Sequence, residues 1–261
     1  MRISISQVKL FKACRRAYEL RYIERMFPVE EAEPITVGKS FHSKIEDLYN
    51  TGSYEKEFDK QTAMVMAFEK YIYPKIKLVD AEKWFESDLD ENNSLSGRVD
   101  GISEDGRIVE YKTTSATSID EYEYDLQWDE QLLAYMYLTG VNKAHYVVIK
   151  KPTIRQKKNE TEEEFFERMV AWYDEDTYEK IRLLDVRRSA EEVQEFVNGL
   201  KRLVNEMQTN DNFYKNTSYC WKWGRRCEYE SICRHFDPNE TYIGFERREK
   251  STWKSTELTN K

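Results

Sequence analysis

Apolar residues at Leu10, Phe11, Cys14, Ala17, Tyr18 and Tyr22 recur at helical spacing. Ser4-x-x-Gln7 ahead of them reads as a capping box and predicts a helix through about residue 25. Pro28 and Pro34 bracket an acidic connector. Helices are then expected over about 37–49 and 55–73, the second closed by Pro74. From there the pattern shifts toward alternation. Residues 84–89 are short and partly alternating, 90–93 carry a turn signal, and 95–103 read as a strand. Glu104-Asp105-Gly106 is a hairpin turn and 107–113 the returning strand. A helix over 128–138 stops near Gly140, and a buried strand follows at 144–150. Residues 161–173 and 190–207 are helical, with an edge strand at 181–187 between them. After Asn239 the chain is polar and reads as extended or disordered.

A hairpin, a crossover helix and a further strand make a mixed sheet flanked by helices. The expected fold class is therefore α/β, with an α+β type of mixed sheet. The length of 261 residues suits one large domain, or a core with helical additions. No run of 18 uncharged apolar residues occurs, so no membrane span is expected. The first residues, Met1-Arg2-Ile3-Ser4-Ile5, lead into no apolar secretory segment, and a cytoplasmic location is expected. The net charge of -8 argues against a passive nucleic-acid binder. It leaves room for an enzyme with an acidic metal site and a local basic groove. There is no Gly-x-x-x-x-Gly-Lys-Ser/Thr phosphate loop, so any motor acting with this protein would be another chain.

The chemistry concentrates in the hairpin. Asp100 lies near the end of one expected strand, and Glu110 and Lys112 lie two apart on the next. Alternation puts Glu110 and Lys112 on one face and Val109 and Tyr111 on the other. Two carboxylates and an ammonium then converge. Hard oxygen ligands of this kind suit Mg²⁺ or Mn²⁺, and such an ion activates water and polarises phosphoryl oxygens. Asp, Glu and Lys also occur on ordinary solvated hairpins. Gly97 and Gly101 flanking the aspartate favour a site, because glycine weakens a strand unless the backbone is closely approached.

Gly-x-x-Asp followed by Glu-x-Lys resembles the catalytic signature of the PD-(D/E)XK nuclease superfamily. Two more features resemble its RecB-like branch. Gly38-Lys39-Ser40-Phe41-His42 supplies a histidine on a helix before the sheet, and Gln131-Leu132-Leu133-Ala134-Tyr135 supplies Gln-x-x-x-Tyr on the helix after it. The resemblance covers roughly residues 36–150. It implies a restriction-endonuclease-like core in which His42, Asp100, Glu110 and the main-chain carbonyl of Tyr111 bind metal. Lys112 would be catalytic, and Gln131 and Tyr135 would position the lysine or the DNA. Glu46, one helical turn after His42, could support the ligands from behind.

Four cysteines remain: Cys14, then Cys220, Cys227 and Cys233 within fourteen residues. This is a cluster or metal pattern more than a disulfide framework. The arrangement is similar to that of AddB nucleases and CRISPR-associated exonucleases, which implies a 4Fe-4S cluster stapling the two ends of the chain. The six residues between Cys220 and Cys227 depart from the shorter spacing usual there. Their content, Trp221 to Arg226, could stack on and attract DNA. A structural Zn²⁺ on the same four thiolates is the alternative.

The organisation expected is a helical iron–sulfur subdomain from 1–35 and 190–238, a nuclease core over 36–189, and a flexible tail over 239–261. The resemblance implies a Mg/Mn-dependent exonuclease on single-stranded DNA or DNA ends, with a separate helicase or recombination partner possible. A catalytically silent end-binding module and an RNA-directed nuclease are the other readings. Replacing Cys227 by Ser is expected to lower solubility and the unfolding temperature, as thermal denaturation of anaerobically prepared protein would show, because the ligand tying the chain ends is lost.

Overall fold

The structure is a computed structural model, and it describes residues 1–222 and 225–249. It divides into two compact units, one of residues 1–31, 86–96 and 197–261, the other of 32–85 and 97–196.

In the first unit, β1 (Arg2–Ser4) leads into α1 (Ile5–Ala13). The capping box is present: Gln7 N–H donates to the Ser4 hydroxyl, and Ser4 N–H donates to the Gln7 side chain at 2.7 Å. The helix expected to run on to residue 25 breaks at Cys14, whose backbone is extended. It resumes as α2 (Arg15–Tyr18) and widens into a π-turn over Glu19–Ile23. The break is held by a segment two hundred residues away. Asn216 Nδ2 donates to the Ala13 carbonyl at 2.7 Å, and Arg16 N–H donates to the Tyr214 carbonyl at 3.2 Å. Polar groups freed by the break are thus satisfied, as buried backbone requires. β2 (Met26–Pro28) follows.

In the second unit, α3 (Glu33–Thr51) begins with Pro34 in its first turn and ends on Gly52 at φ 74°, where glycine has no Cβ to strain. α4 (Lys60–Tyr71) is capped by Asp59, which accepts from Thr62 N–H at 2.7 Å. The spacing of Val37, Phe41, Ile45 and Leu48 gives α3 one apolar face, which joins Met64, Val65 and Phe68 of α4 in the core. Phe68 meets both Phe41 and the Tyr111 ring edge-on.

The strands are β3 (Leu78–Asp90), β4 (Asn93–Ser103) and β5 (Ile108–Thr114). β3 is longer than its alternation suggests and pairs with β4. Residues 94–96 of β4 lie parallel to β1 within the first unit. In the second unit β4 runs antiparallel to β5, with Gly101 opposite Val109 and Ile102 opposite Ile108. The hairpin turns at Gly106, at φ 74°. A short helix absent from the sequence reading, α5 (Ile119–Asp125), comes next. The buried Arg182 holds it through Asp120 at 2.5 Å and Glu123 at 3.3 Å, a partnership invisible in local pattern. α6 (Glu130–Thr139) leads to β6 (Lys143–Lys150), parallel to β5. α7 (Glu162–Glu175) leads to β7 (Ile181–Arg187), antiparallel to β6. The sheet is mixed, as expected. Val109 and Tyr111 of β5 and Val147 and Ile149 of β6 face the helical core.

After α8 (Ala190–Thr209), the first unit is completed by β8 (Trp221–Lys222) paired with β9 (Arg225–Arg226), α9 (Glu230–Cys233), and β10 (Phe245–Arg247) antiparallel to β2. The polar tail thus includes a paired strand, anchored by Phe245 against Tyr229. The part of the tail over 250–261, and Trp223-Gly224 between the cysteines, lie outside the described residues. Among the described residues no helix is long and apolar enough to cross a membrane.

Gly101 lets the Leu78 side chain approach the strand closely. A Cβ there would sit 2.9 Å from Leu78 Cδ2 and 3.0 Å from Leu78 Cδ1. Gly101→Ala is expected to destabilise the protein by about 1–3 kcal/mol, the usual cost of overpacking, measured as a lower urea midpoint at unchanged slope.

Candidate active site

β5 builds the site. Its alternation sends Val109 and Tyr111 into the core and leaves Glu110 and Lys112 on the opposite face. Extended by one residue, the β4–β5 register sets Asp100 opposite Glu110. The hairpin is therefore what brings the two carboxylates together. Asp100 Oδ2 accepts the Tyr111 N–H at 2.8 Å, and its Oδ1 lies 3.3 Å from His42 Nδ1. His42 comes from α3, one position round from the core residue Phe41, and its ring meets Tyr111 edge-on.

Lys112 Nζ donates to Glu110 Oε1 and, at 3.0 Å, to Gln131 Oε1. Gln131 Nε2 in turn donates to Glu110 Oε1 at 3.0 Å and to the Tyr135 hydroxyl at 2.9 Å. α6 presents this pair because Asp129 caps its start, accepting Gln131 N–H at 2.8 Å, and because positions four apart share a helical face. Gly97 makes room for α6: a Cβ there would come within 3.1 Å of both the Tyr135 ring and Leu138. Both glycines flanking Asp100 are thus sites of close approach.

The electrostatics follow from burial. Asp100 and Glu110 are 8% and 1% exposed. Burial raises the Glu110 carboxyl well above the carboxylate range, and the Asp100 charge adds to this. Burial also works against ionised Asp100, but His42, Lys112 and the Tyr111 N–H outweigh it and hold its pKa low. His42 is opposed by burial and raised on balance, chiefly by the Asp100 charge. Lys112 is likewise opposed by burial yet held charged by Glu110 and Asp100.

Glu110 Oε2 is among the few buried side-chain polar atoms of the described residues without a hydrogen bond. Such an orphan costs about 1–3 kcal/mol. A cation beside it would remove that cost, so the donor set fits a divalent ion bound by hard oxygens and an imidazole.

Sequence reading missed Glu82. Its Oε1 lies 3.7 Å from His42 Nδ1, and ligand atoms of His42, Glu82 and Asp100 all fall within 4.8 Å of one another. Glu82 adopts φ 50°, a left-handed conformation costing a non-glycine residue about 1–3 kcal/mol. The kink breaks the alternation of β3, which is why no pattern signalled it. Arg98 was missed as well; its Nε lies 2.7 Å from Glu82 Oε2. His42, Glu46, Glu82, Arg98, Asp100 and Tyr135 line one cavity of about 500 Å³.

The family comparison agrees with this geometry. The chain matches the family model described as the PD-(D/E)XK nuclease superfamily over residues 2–92 and 55–234. The protein belongs to the PD-(D/E)XK nuclease superfamily. Nucleases of this superfamily use divalent metals, and the acidic group here is a possible metal site. Among solved structures, a candidate exonuclease from Eubacterium rectale shares the superfamily fold with this chain at TM-score 0.52 and 14% identity, covering 92% of this chain and 90% of that one. A phage related exonuclease from Haemophilus somnus 129PT (TM-score 0.36, 15% identity, 70% and 89% covered) and an alkaline exonuclease from Laribacter hongkongensis (0.32, 12%, 65% and 81%) are more distant in shape. No curated protein matches the sequence.

The cysteines sit in the first unit, and all four are free thiols. Cys14 is buried in a small core with Ala17, Leu20, Met26, Tyr229 and Ile232, against which Cys227 and Cys233 pack. Burial pushes the Cys227 thiol up to about 11, with Cys14 and Cys220 adding to the shift. Cys233 is raised by burial too, again with contributions from Cys14 and Cys220.

The pKa values of His42 and Glu110 are both raised, His42 by the Asp100 charge and Glu110 by burial, so a cation bound beside them would compete with protons. Mn²⁺ affinity is expected to rise with pH near neutrality. Calorimetric titrations in buffers of different ionisation enthalpy should show release of about two protons per ion bound near neutral pH.

Proposed function

We propose that the protein is a Mg²⁺- or Mn²⁺-dependent deoxyribonuclease acting on single-stranded DNA or DNA ends, most simply as an exonuclease. The observation that carries this reading is the convergence of Asp100, Glu110, Lys112 and His42, of which His42 and Asp100 line one cavity, with a carboxylate oxygen of Glu110 left unpartnered. The exonuclease part rests on the RecB-like motifs, and the description of the Eubacterium rectale protein is in keeping with it.

His42, Asp100, Glu110 and the Tyr111 main-chain carbonyl would hold the metal. A bound divalent ion supplies Lewis acidity toward a phosphoryl oxygen and a lowered water pKa. Lys112, kept charged by its carboxylate neighbours, orients the attacking water and steadies negative charge developing on the phosphate. Gln131 fixes the direction of the ammonium, and Tyr135 fixes Gln131. The residues around the cavity say nothing about a 2′-hydroxyl, so RNA belongs among the substrates to be tested.

We also assign Cys14, Cys220, Cys227 and Cys233 to a 4Fe-4S cluster in a subdomain of residues 1–35 and 190–238, separate from a nuclease core over 36–189. Three free thiols, Cys14, Cys227 and Cys233, share one small core, and Cys220 acts electrostatically on Cys227 and Cys233, which supports this. Visible absorption that bleaches on reduction, absent from Cys227→Ser, would distinguish the cluster from zinc.

The decisive experiment is incubation of end-labelled single- and double-stranded DNA, and of RNA, with Mg²⁺, Mn²⁺ or EDTA. Asp100→Ala, Glu110→Ala and Lys112→Ala are each expected to lower cleavage by at least about a hundredfold while circular dichroism stays that of the parent. Cleavage by these variants at the parent rate would show that the chemistry lies elsewhere. No cleavage by the parent with any metal would favour an end-binding module.

A further inference from the structure

Glu82 and Arg98 form an ion pair at the edge of the metal-ligand group, and neither belongs to the sequence signature. The Glu82 carboxylate is 8% exposed and divided between two partners. Oε1 lies 3.7 Å from His42 Nδ1, and Oε2 lies 2.7 Å from Arg98 Nε. Arg98 is half exposed, and it precedes Asp100 by two residues on β4. Strand alternation therefore places its side chain on the same face as Asp100, and both line the same cavity.

The charges pose a problem for any nucleic-acid substrate. Glu46, Glu82 and Asp100 line the cavity together with Lys39 and His42, so an anionic phosphate entering it meets three carboxylates among the cationic groups. Arg98 could offset them, but its guanidinium is engaged with Glu82. A divalent ion beside His42 and Asp100 would change the balance. Glu82 is already within reach of that position, and a hard cation competes well for a carboxylate against a half-exposed guanidinium.

We propose that Glu82 and Arg98 are an exchanging pair: on metal binding Glu82 transfers from Arg98 to the ion, and the freed Arg98 binds a phosphate of the nucleic-acid strand. The inference rests on the nuclease reading and adds to it an order of events, in which metal creates the phosphate site. The planar fork of arginine suits a phosphate, whereas a fixed ion pair would leave it unavailable. The strained backbone of Glu82 fits a carboxylate placed for exchange rather than for strand packing.

The two halves of the pair should respond in opposite senses. The full-length protein would be titrated with Mn²⁺ alone, followed by electron paramagnetic resonance, and with a fluorescent single-stranded oligonucleotide in Ca²⁺ or EDTA, followed by anisotropy with the oligonucleotide checked for integrity. Glu82→Gln, nearly isosteric, is expected to weaken Mn²⁺ binding by about tenfold or more. Arg98→Ala is expected to strengthen Mn²⁺ binding without DNA by about two- to fivefold, the weight of a half-exposed competitor. The same variant should bind the oligonucleotide less tightly in Ca²⁺, but not in EDTA. Its log-affinity against log-salt slope in Ca²⁺ should fall by about 0.7, one phosphate contact fewer. Arg98→Lys should keep that slope.

Loss of Mn²⁺ and oligonucleotide binding together in Arg98→Ala and Arg98→Lys would mark a fixed structural bridge and overturn the exchange. So would unchanged Mn²⁺ affinity in Glu82→Gln. Glu110→Ala separates this failure from failure of the underlying reading. If the parent binds no Mn²⁺, or Glu110→Ala binds it as the parent does, the metal centre and the exchange both fall. If Glu110→Ala loses Mn²⁺ while Glu82→Gln does not, only the exchange falls.

Discussion

An ionised carboxylate with almost no exposed surface needs partners that outweigh its lost hydration, or it takes up a proton. Asp100 has such partners: the Tyr111 N–H, the His42 ring and the nearby Lys112 ammonium. Glu110, opposite it, is less well supplied and is pushed toward its neutral form. Most of the second unit can be understood from the need to support this unequal pair. α3 delivers His42, α6 delivers Gln131 to the lysine, and the two glycines of β4 let Leu78 and the Tyr135 ring close over the strand.

Buried carboxylates held this close repel one another, and one of them is pushed toward its protonated form unless cationic partners compensate. The cost is carried by the core on the other side of β5, where Phe41, Phe68 and Tyr111 pack edge to face. Aromatic pairs of this kind contribute about 0.5–1.5 kcal/mol each beyond the area they bury. Rigid support behind the strand is what permits costly chemistry in front of it.

The hairpin, the parallel return through β6 and the helix carrying Gln131 were legible because each rests on local information: a turn triplet, an alternation, a cap and a four-residue spacing. His42, Asp100, Glu110 and Lys112 could be singled out for the same reason. What escaped depended on distant partners. The break at Cys14 is stabilised by residues 214–216, and α5 is held by Arg182. Glu82 escaped for a subtler cause. A left-handed residue inside β3 reverses the sense of alternation, so its carboxylate reaches the site without any period that could announce it. The cysteines were visible as a set, but the small core that gathers them involves both ends of the first unit's sequence.

β5 is buried on both faces, with Val109 and Tyr111 turned one way and Glu110 and Lys112 the other. A slip of one residue would send the charged pair into the hydrocarbon core and the apolar pair against Asp100 and Gln131. No partially functional misalignment is available to this strand. Proofreading of the reactive centre is thus delegated to the folding reaction itself: a molecule that has aligned β5 well enough to be stable has, by the same act, aligned its chemistry.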